Sequence, residues 1–407
     1  MNKVNAFLLF FLMLCLPSVF SQEFLQSKNL VEEVPQKKGV PVTSKFKTLI
    51  CNKDSLGDYN STGIMKNESK DYDQAIACFT KAIELDSSLA PAYFNRAFAE
   101  KQLLDYNSAL ADYNHIISLK LSWEQSYEAY YNRGITQALL NNLKEALANF
   151  NYSLKLNPKS SDAYYSRSIV KGRNNDYPGE LSDINKAIIL NPNDALAYNS
   201  RGIVKGIMGD YAGALSDYSK AIVLDKANAS FYFNRAIIEF EMEKYNSALN
   251  DYNSAFQIKP DAEILNRRAI VKGKLNDFHG ALEDYKAALK MSPGYYMAYF
   301  KRGELKFDMK DFKAAIEDYT KAIQLKPNFS SAFYCRGLCK ENIVDYPGAI
   351  ADYSMAIEIN PNDQNAFNQR GLVKYKTGDI KGGCKDLDDA VELGSNIAYN
   401  NLIEFCK

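Results

Sequence analysis

The chain has 407 residues, with 49 basic and 49 acidic side chains and a formal net charge of zero. That balance argues against a general nucleic-acid or anionic-membrane binder, either of which needs an excess of lysine and arginine. The length admits two or three ordinary domains, or one long array of small units.

Met1 to Asn5 is a short basic start, and Ala6 to Phe20 is an apolar run broken by Pro17 and Ser18. Val19-Phe20-Ser21 places aliphatic and small residues three and one positions before a cut ahead of Gln22. Residues 1–21 therefore read as a secretory signal peptide. The run is short for a spanning helix, and an uncleaved anchor is the alternative. A lipoprotein reading through Leu12-Met13-Leu14-Cys15 is weakened by the bulky Leu14 before the cysteine. The expected location is extracytoplasmic: periplasmic, envelope-associated or secreted, with a bacterial envelope favoured over a eukaryotic secretory route. Residues 22–55 mix Lys, Glu, Pro, Ser and Thr without a sustained period and read as a leader or linker, extended from Val34 to Val42. No other segment offers a run able to cross a bilayer, so no membrane span is expected in the mature chain.

From Leu56 to Ile397 the sequence repeats. AYYSRSIVKG from Ala163 returns as AYNSRGIVKG from Ala197. Aligned on a small residue taken as position 8, ten units carry there Gly63, Ala97, Gly134, Ser168, Gly202, Ala236, Ala269, Gly303, Gly337 and Gly371. The spacing is 34 residues, except for 37 between units two and three and 33 between units six and seven. A fixed period of this length means one supersecondary unit stacked many times. In the fifth unit, Ala197, Tyr198, Arg201, Gly202 and Lys205 share one side of a first helix. Gly209-Asp210 makes the turn, with Asp210 placed to cap a second helix whose apolar face is Ala214, Leu215, Tyr218, Ala221 and Ile222. Small residues at positions 8 and 20 let two backbones approach, and aromatics at 4, 17 and 24 fill the gaps. Proline at position 32 (Pro158, Pro192, Pro260, Pro293, Pro327, Pro361) ends the second helix.

On these residues the chain resembles the tetratricopeptide repeat family, over about 342 of its 407 residues. The resemblance implies an all-α fold: a right-handed superhelical solenoid of about ten helix-turn-helix units over 56–397, with first helices lining a concave groove. Residues 398–407 read as a C-terminal capping helix, which a stacked array needs to cover its last apolar face. Local departures are Glu180 at an alanine position, Leu121 and Lys226 at proline positions, and a glycine-rich last unit.

Position 7, which the family usually fills with an apolar residue, is arginine in nine units: Arg96, Arg133, Arg167, Arg201, Arg235, Arg268, Arg302, Arg336 and Arg370. Position 23 is aspartate in eight: Asp112, Asp183, Asp217, Asp251, Asp284, Asp318, Asp352 and Asp386. The first unit has Thr62 and Cys78 and lacks both, while the last keeps both with no following repeat to supply a partner. The expectation is a structural ion pair inside each hairpin, an arginine fork on a carboxylate. Lysine often follows arginine at i+4, as in Arg167 and Lys171 or Arg201 and Lys205; the mild repulsion between them makes a nearby carboxylate more necessary. A basic row for acidic ligands is the functional alternative, weakened by the matched aspartates.

Positions 2, 5, 9 and 12 of a first helix share one face, which the resemblance makes the groove. Position 5 is aromatic in Phe94, Tyr131, Tyr165, Phe233, Phe300 and Tyr334, and asparagine in Asn60, Asn199, Asn266 and Asn368. Rings beside amides can grip an extended peptide, so these are the candidate partner-binding residues; packing between neighbouring first helices is the other reading. Position 9 is mainly aliphatic (Ile64, Ile135, Ile169, Ile203, Ile237, Ile270, Leu338, Leu372) and reads as packing. It lacks the asparagine with which some family members clamp carboxylate-ended chaperone tails.

No catalytic residues, metal ligands or cofactor are expected. His115 and His279 stand alone in different units, and no zinc spacing, phosphate loop or dinucleotide glycine pattern occurs. Six cysteines follow the signal: Cys51, Cys78, Cys335, Cys339, Cys384 and Cys406. Cys339 reads as a core thiol, while Cys384–Cys406 and Cys51–Cys78 are candidate staples at the two ends. Trp123 falls in the three-residue insertion, as a local elaboration or loop filler. The expected function is a non-enzymatic scaffold that binds protein or peptide partners in its groove. A membrane-tethered spacer, and much less so an enzyme-associated substrate-recognition subunit, are the alternatives.

Overall fold

A computed structural model of the chain describes residues 56–120 and 122–406. The expected signal peptide (1–21) and leader (22–55), with Cys51, Leu121 and Lys407, lie outside the described residues. Every regular element among the described residues is an α-helix, and these pair as ten hairpins and a closing helix. Hairpins one to three are Leu56–Glu68 with Tyr72–Leu85, Ala90–Gln102 with Tyr106–Ser118, and Trp123–Leu139 with Leu143–Leu156. Hairpins four and five are Ser161–Arg173 with Tyr177–Leu190 and Ala195–Ile207 with Tyr211–Leu224. Hairpins six to eight are Ala229–Glu241 with Tyr245–Ile258, Ala262–Lys274 with Phe278–Met291, and Tyr296–Asp308 with Phe312–Leu325. Hairpins nine and ten are Ser330–Asn342 with Tyr346–Ile359 and Gln364–Lys376 with Ile380–Glu392; Asn396–Cys406 closes the series.

The chain divides into two compact units between Lys226 and Ala227: hairpins one to five, and hairpins six to ten with the closing helix. Within each unit the second helix of one hairpin packs on the first helix of the next, which is the solenoid arrangement.

Each hairpin turns on two residues. In hairpin five, Gly209 takes a left-handed φ of 81°, and the Asp210 amide donates back to the Lys205 carbonyl at 2.8 Å. That is the six-residue closure which satisfies orphan carbonyls at a helix end. Asp210 then caps the second helix, its carboxylate accepting from the Gly213 amide at 2.9 Å. One aspartate thus ends one helix and starts the next. The left-handed position recurs in every hairpin, and it is filled by Asn141, Asn175 and Asn276, which tolerate it, but also by Leu104 and Val344.

The interior follows from positions 8, 20 and 24. A Cβ placed on Gly202 would lie 2.7 Å from the Tyr218 ring, so the absent side chain is what admits the aromatic. Tyr218, Ala214 and Ala221 are fully buried. Glu180, at an alanine position, is buried at 1% exposure; Gly172 makes its room, because a Cβ there would collide with the Glu180 carboxylate. At position 31 the residue before each proline is extended (Asn191, φ −135°, ψ 86°) and closes the helix by donating to Ala187.

The shortened spacing falls between hairpins six and seven, and the lengthened one at the start of hairpin three. The three-residue insertion is absorbed as helix, Trp123–Leu139 having 17 residues where other first helices after it have 13, so it is no loop. At the end, Cys384 and Cys406 form a disulfide across a Cα–Cα distance of 5.7 Å. It ties the closing helix, which begins at Asn396 rather than Ala398, over Leu387 and Ala390. Cys78 is disulfide-bonded too. Cys339 is fully buried, and burial pushes its thiol up to about 12, which makes it an inert packing thiol. Among the described residues no helix is long and apolar enough to cross a membrane.

Val344 is β-branched and holds a φ of 66°, a conformation that costs an L-residue roughly 1–2 kcal/mol and glycine almost nothing. Val344→Gly is expected to stabilise the second unit by about 0.5–1 kcal/mol after allowing for glycine's looser unfolded chain. Urea unfolding of both proteins checks this.

Candidate functional site

The arginine at position 7 points from the first helix across the hairpin to the aspartate sixteen residues on. In eight hairpins the fork closes on both carboxylate oxygens, Nε to Oδ2 and Nη2 to Oδ1, at 2.6–2.9 Å. The aspartates are 3–6% exposed. Bidentate geometry at this length is the strong form of an ion pair. In hairpin three the partner is neutral: Arg133 Nε donates to Asn149 Oδ1 at 2.7 Å.

The guanidinium makes two further contacts. Its Nη1 reaches the second helix of the preceding hairpin, as in Arg96 to Thr80 (3.0 Å), Arg167 to Asn151 (2.7 Å), Arg201 to Asn185 (2.9 Å), Arg268 to Asn253 (2.9 Å) and Arg370 to Ser354 (3.0 Å). Its face lies over the aromatic at position 4, 5.3 Å from the Tyr198 centroid for Arg201. Hairpin seven has Leu265 there, and Arg268 instead sits 5.1 Å from Phe256 of the preceding hairpin. One side chain therefore closes its own hairpin and holds the one before it. Forks spent in this way are not offered to an acidic ligand.

Lysine at position 11 joins the same aspartate. Lys171, Lys205, Lys272, Lys306, Lys340 and Lys374 lie 2.7–2.8 Å from the Oδ2 that Nε also holds. Four of them also reach the carbonyl at position 19: Gly179, Gly280, Ala314 and Gly348, at 3.3–3.5 Å. Sharing one carboxylate is how the two cations tolerate each other. Three hairpins break the rule, with Glu100, Gln137 and Glu239 at position 11. Comparing that position across the units would have shown this.

The position-5 residues are mostly enclosed. Tyr131, Tyr165, Asn199, Asn266, Phe300, Tyr334 and Asn368 are 0–7% exposed, and Phe94 and Phe233 are half-buried. The rings meet the position-24 aromatics of their own hairpins, Phe94 with Tyr113, Phe233 with Tyr252, Phe300 with Tyr319 and Tyr334 with Tyr353, at 5.6–6.1 Å. Tyr131 and Tyr165 hydroxyls bond Ser166 and Ser200 of the next hairpin at 3.2 and 2.9 Å. Asn368 Oδ1 accepts from Asn401 in the closing helix at 2.8 Å. These side chains join one element to the next, and a partner could touch most of them only by displacing a neighbour.

The rest of the first-helix face differs between the units. In hairpins three to five it is closed: Ile135, Ile169 and Ile203 are 1–2% exposed, with Ser166, Ser200, Gly172 and Gly206 buried beside them. In the second unit it carries charge. Lys376 of hairpin ten lies 2.8 Å from Glu341 of hairpin nine, Lys301 pairs with Glu304 at 3.0 Å, and Asp308 lies in the fields of Glu304 and Lys274. These side chains are outside the arginine–aspartate network and reach solvent. His115 is half-buried and stacked on Tyr93 with centroids 4.3 Å apart, and His279 is exposed.

Family models described as tetratricopeptide repeat match residues 296–329 and, separately, 65–89, 127–160 and 262–295, and one described as TPR repeat matches 345–378. The chain is 36% identical over 76 residues to Protein STIP1 homolog of Dictyostelium discoideum, a match covering 19% of this chain and 14% of that protein. Among solved structures, it is similar to a tetratricopeptide repeat protein from Parabacteroides merdae (20% identity, TM-score 0.49, 61% of this chain and 98% of that one). It is also similar to yeast Tom70 (17%, TM-score 0.47, 87% and 88%). A third is YrrB, described as a TPR protein with an unusual peptide-binding site (22%, TM-score 0.38, 46% and 97%).

Asp217 is 4% exposed, so removing Arg201 leaves a buried carboxylate with Lys205 as its one remaining cation and Oδ1 without its donor. Arg201→Ala and Asp217→Ala are each expected to cost about 2–4 kcal/mol, with a double mutant much less costly than their sum. Arg201→Lys should recover little, because a lysine cannot form the fork. A double-mutant cycle by chemical denaturation checks this, and zero coupling would contradict the pairing.

Proposed function

The chain is a tetratricopeptide repeat protein, and on that premise we propose that it is a non-enzymatic scaffold outside the cytoplasm. It holds an extended protein or peptide partner on the first-helix face of its second unit. The observation that carries this reading is the row of charges there, Lys274, Glu304, Asp308, Glu341 and Lys376, which stands outside the arginine–aspartate forks; of these, Glu341 also accepts from the Tyr353 hydroxyl within hairpin nine at 3.1 Å. An acidic middle on hairpins eight and nine, flanked by lysines on hairpins seven and ten, suits a partner of mixed charge lying along the row, with orientation set by complementarity. Hairpins three to five of the first unit, whose equivalent face is closed by isoleucine, serine and glycine, act as a spacer or support.

Two features support the location. The sequence begins with a segment of signal-peptide character, and the Cys384–Cys406 disulfide suits an oxidising compartment. The non-enzymatic reading rests on the sequence, in which no catalytic or cofactor-binding pattern occurs.

The test is capture of a partner from an envelope extract by the immobilised chain, identified by mass spectrometry and repeated with Lys274→Glu, Lys376→Glu and Glu304→Lys. Expected is a loss of capture of about tenfold or more in at least the paired reversals, with helical content unchanged, and weakening of the wild type as salt rises. Capture indifferent to all three reversals would remove the proposed surface.

A further inference from the structure

In six hairpins the cavity beside the buried aspartate is filled by an ammonium group that donates to the carboxylate and, in four of them, to the carbonyl at position 19. Hairpins two and six put a carboxylate in that place. Glu100 is 7% exposed and faces acceptors where its counterparts are donors. An ionised glutamate there has nothing to give; a protonated one can donate a hydrogen bond as lysine does. We propose that hairpins two and six are proton-gated joints, in which Glu100 and Glu239 must carry a proton to complete the bonding that lysine completes elsewhere, so that both joints loosen when that proton leaves.

The surrounding groups bear this out. Arg96 Nε lies 3.8 Å from Glu100 Oε1 on the same helix, but its fork is already closed on Asp112 of the second helix. Asp112 and Asp105 of the turn both oppose ionisation of Glu100, and hairpin one presents the Thr80 hydroxyl to Arg96. Burial, then Asp112, raises the Glu100 carboxyl to about 7 against the attraction of Arg96. For Glu239, burial and then Asp251, with which it shares a hydrogen bond, raise it to about 7 as well; Arg235 and Lys244 pull the other way. Glu100 Oε2 and Glu239 Oε2 are both buried without a hydrogen-bond partner. Each site therefore has two carboxyl groups around one guanidinium, and one proton settles the charge.

The sign follows from linkage. A folded carboxyl at about 7 against 4.5 for the free group favours folding in its protonated form. The benefit is complete below pH 4.5, is lost as pH rises from there to 7, and is absent above. Lys101, which burial lowers to about 8 while its ammonium sits over the Tyr113 ring, has the opposite slope at higher pH. The informative window is therefore pH 5 to 7.5.

The experiment is hydrogen exchange of the full chain across that window, reading the opening constants of residues 90–118 and 229–258 after correction for intrinsic rate. One proton per joint predicts opening that grows by up to about tenfold per pH unit between pH 5 and 6.5 and levels off above 7, with hairpins four and nine flat. Glu100→Gln and Glu239→Gln, which can donate at any pH, should abolish the slope locally. Glu100→Lys and Glu239→Lys, which restore the common pattern, should abolish it and lower opening. Difference infrared spectra supply a readout independent of folding: a protonated-carboxyl band present at pH 5.5 and absent from the glutamine variants. Equal slopes in wild type and glutamine variants, or no such band, would overturn the proposal. So would suppression of the opening at pH 7.5 by calcium, since the site would then hold a metal ion rather than a proton.

Discussion

The constraint on which this architecture depends is the geometry of one guanidinium. Position 7 faces the junction of three helices: its own, its hairpin partner and the second helix of the hairpin before. An aliphatic side chain there would be held by contact alone and could settle at several angles. An arginine whose fork is closed on a carboxylate, whose third nitrogen reaches back to the preceding hairpin and whose face covers a ring has one low-energy placement. The arrangement is directional, since the arginines of seven hairpins bind backward along the chain. Net stabilisation from a half-buried ion pair is modest, because desolvation offsets most of the attraction. What it contributes is uniqueness of angle between helices whose packing surfaces, alanine in most hairpins with tyrosine in six of the ten, are nearly alike.

Much of this was legible in the sequence because repetition supplies its own controls. A pattern of arginine and aspartate sixteen apart is weak evidence once and strong evidence eight times. The same internal comparison identified Glu180 as an exception, and the structure accounts for it through Gly172. What periodicity cannot say is which neighbour covers a given face. Position 5 falls on the face a groove would use, yet Tyr131 and Tyr165 find their partners on Ser166 and Ser200, at a different position of the following hairpin. Only the offset between stacked helices reveals that. The insertion at Trp123 was ambiguous for a related reason: three residues nearly complete a helical turn, so they can lengthen a helix without changing which face is buried.

The two units use the same scaffold to different ends. In the first, small and aliphatic residues let first helices close on one another and leave little to recognise. In the second, larger and charged residues occupy the corresponding positions, and Lys376 and Glu341 bridge adjacent hairpins where glycine and isoleucine would only touch. Interior positions 8, 20 and 24 hardly vary between units, so the surface can diverge without disturbing the frame that displays it. Separation of this kind is natural to stacked folds, where each repeat meets only its neighbours.

The aspartate at the hairpin turn has a corollary for how such a chain can change length. Because that single residue both terminates one helix and initiates the next, a hairpin contains no slack. An extra residue inside it would rotate the second helix by about 100° and swing the carboxylate away from its arginine. Every fork spans the same sixteen residues, while the shortened spacing lies between hairpins and the lengthened one at the start of hairpin three's first helix, ahead of its arginine. Genetic drift in length is thus confined to the joins, and duplication or loss of a whole hairpin is a gentler event for this molecule than gaining one amino acid within it.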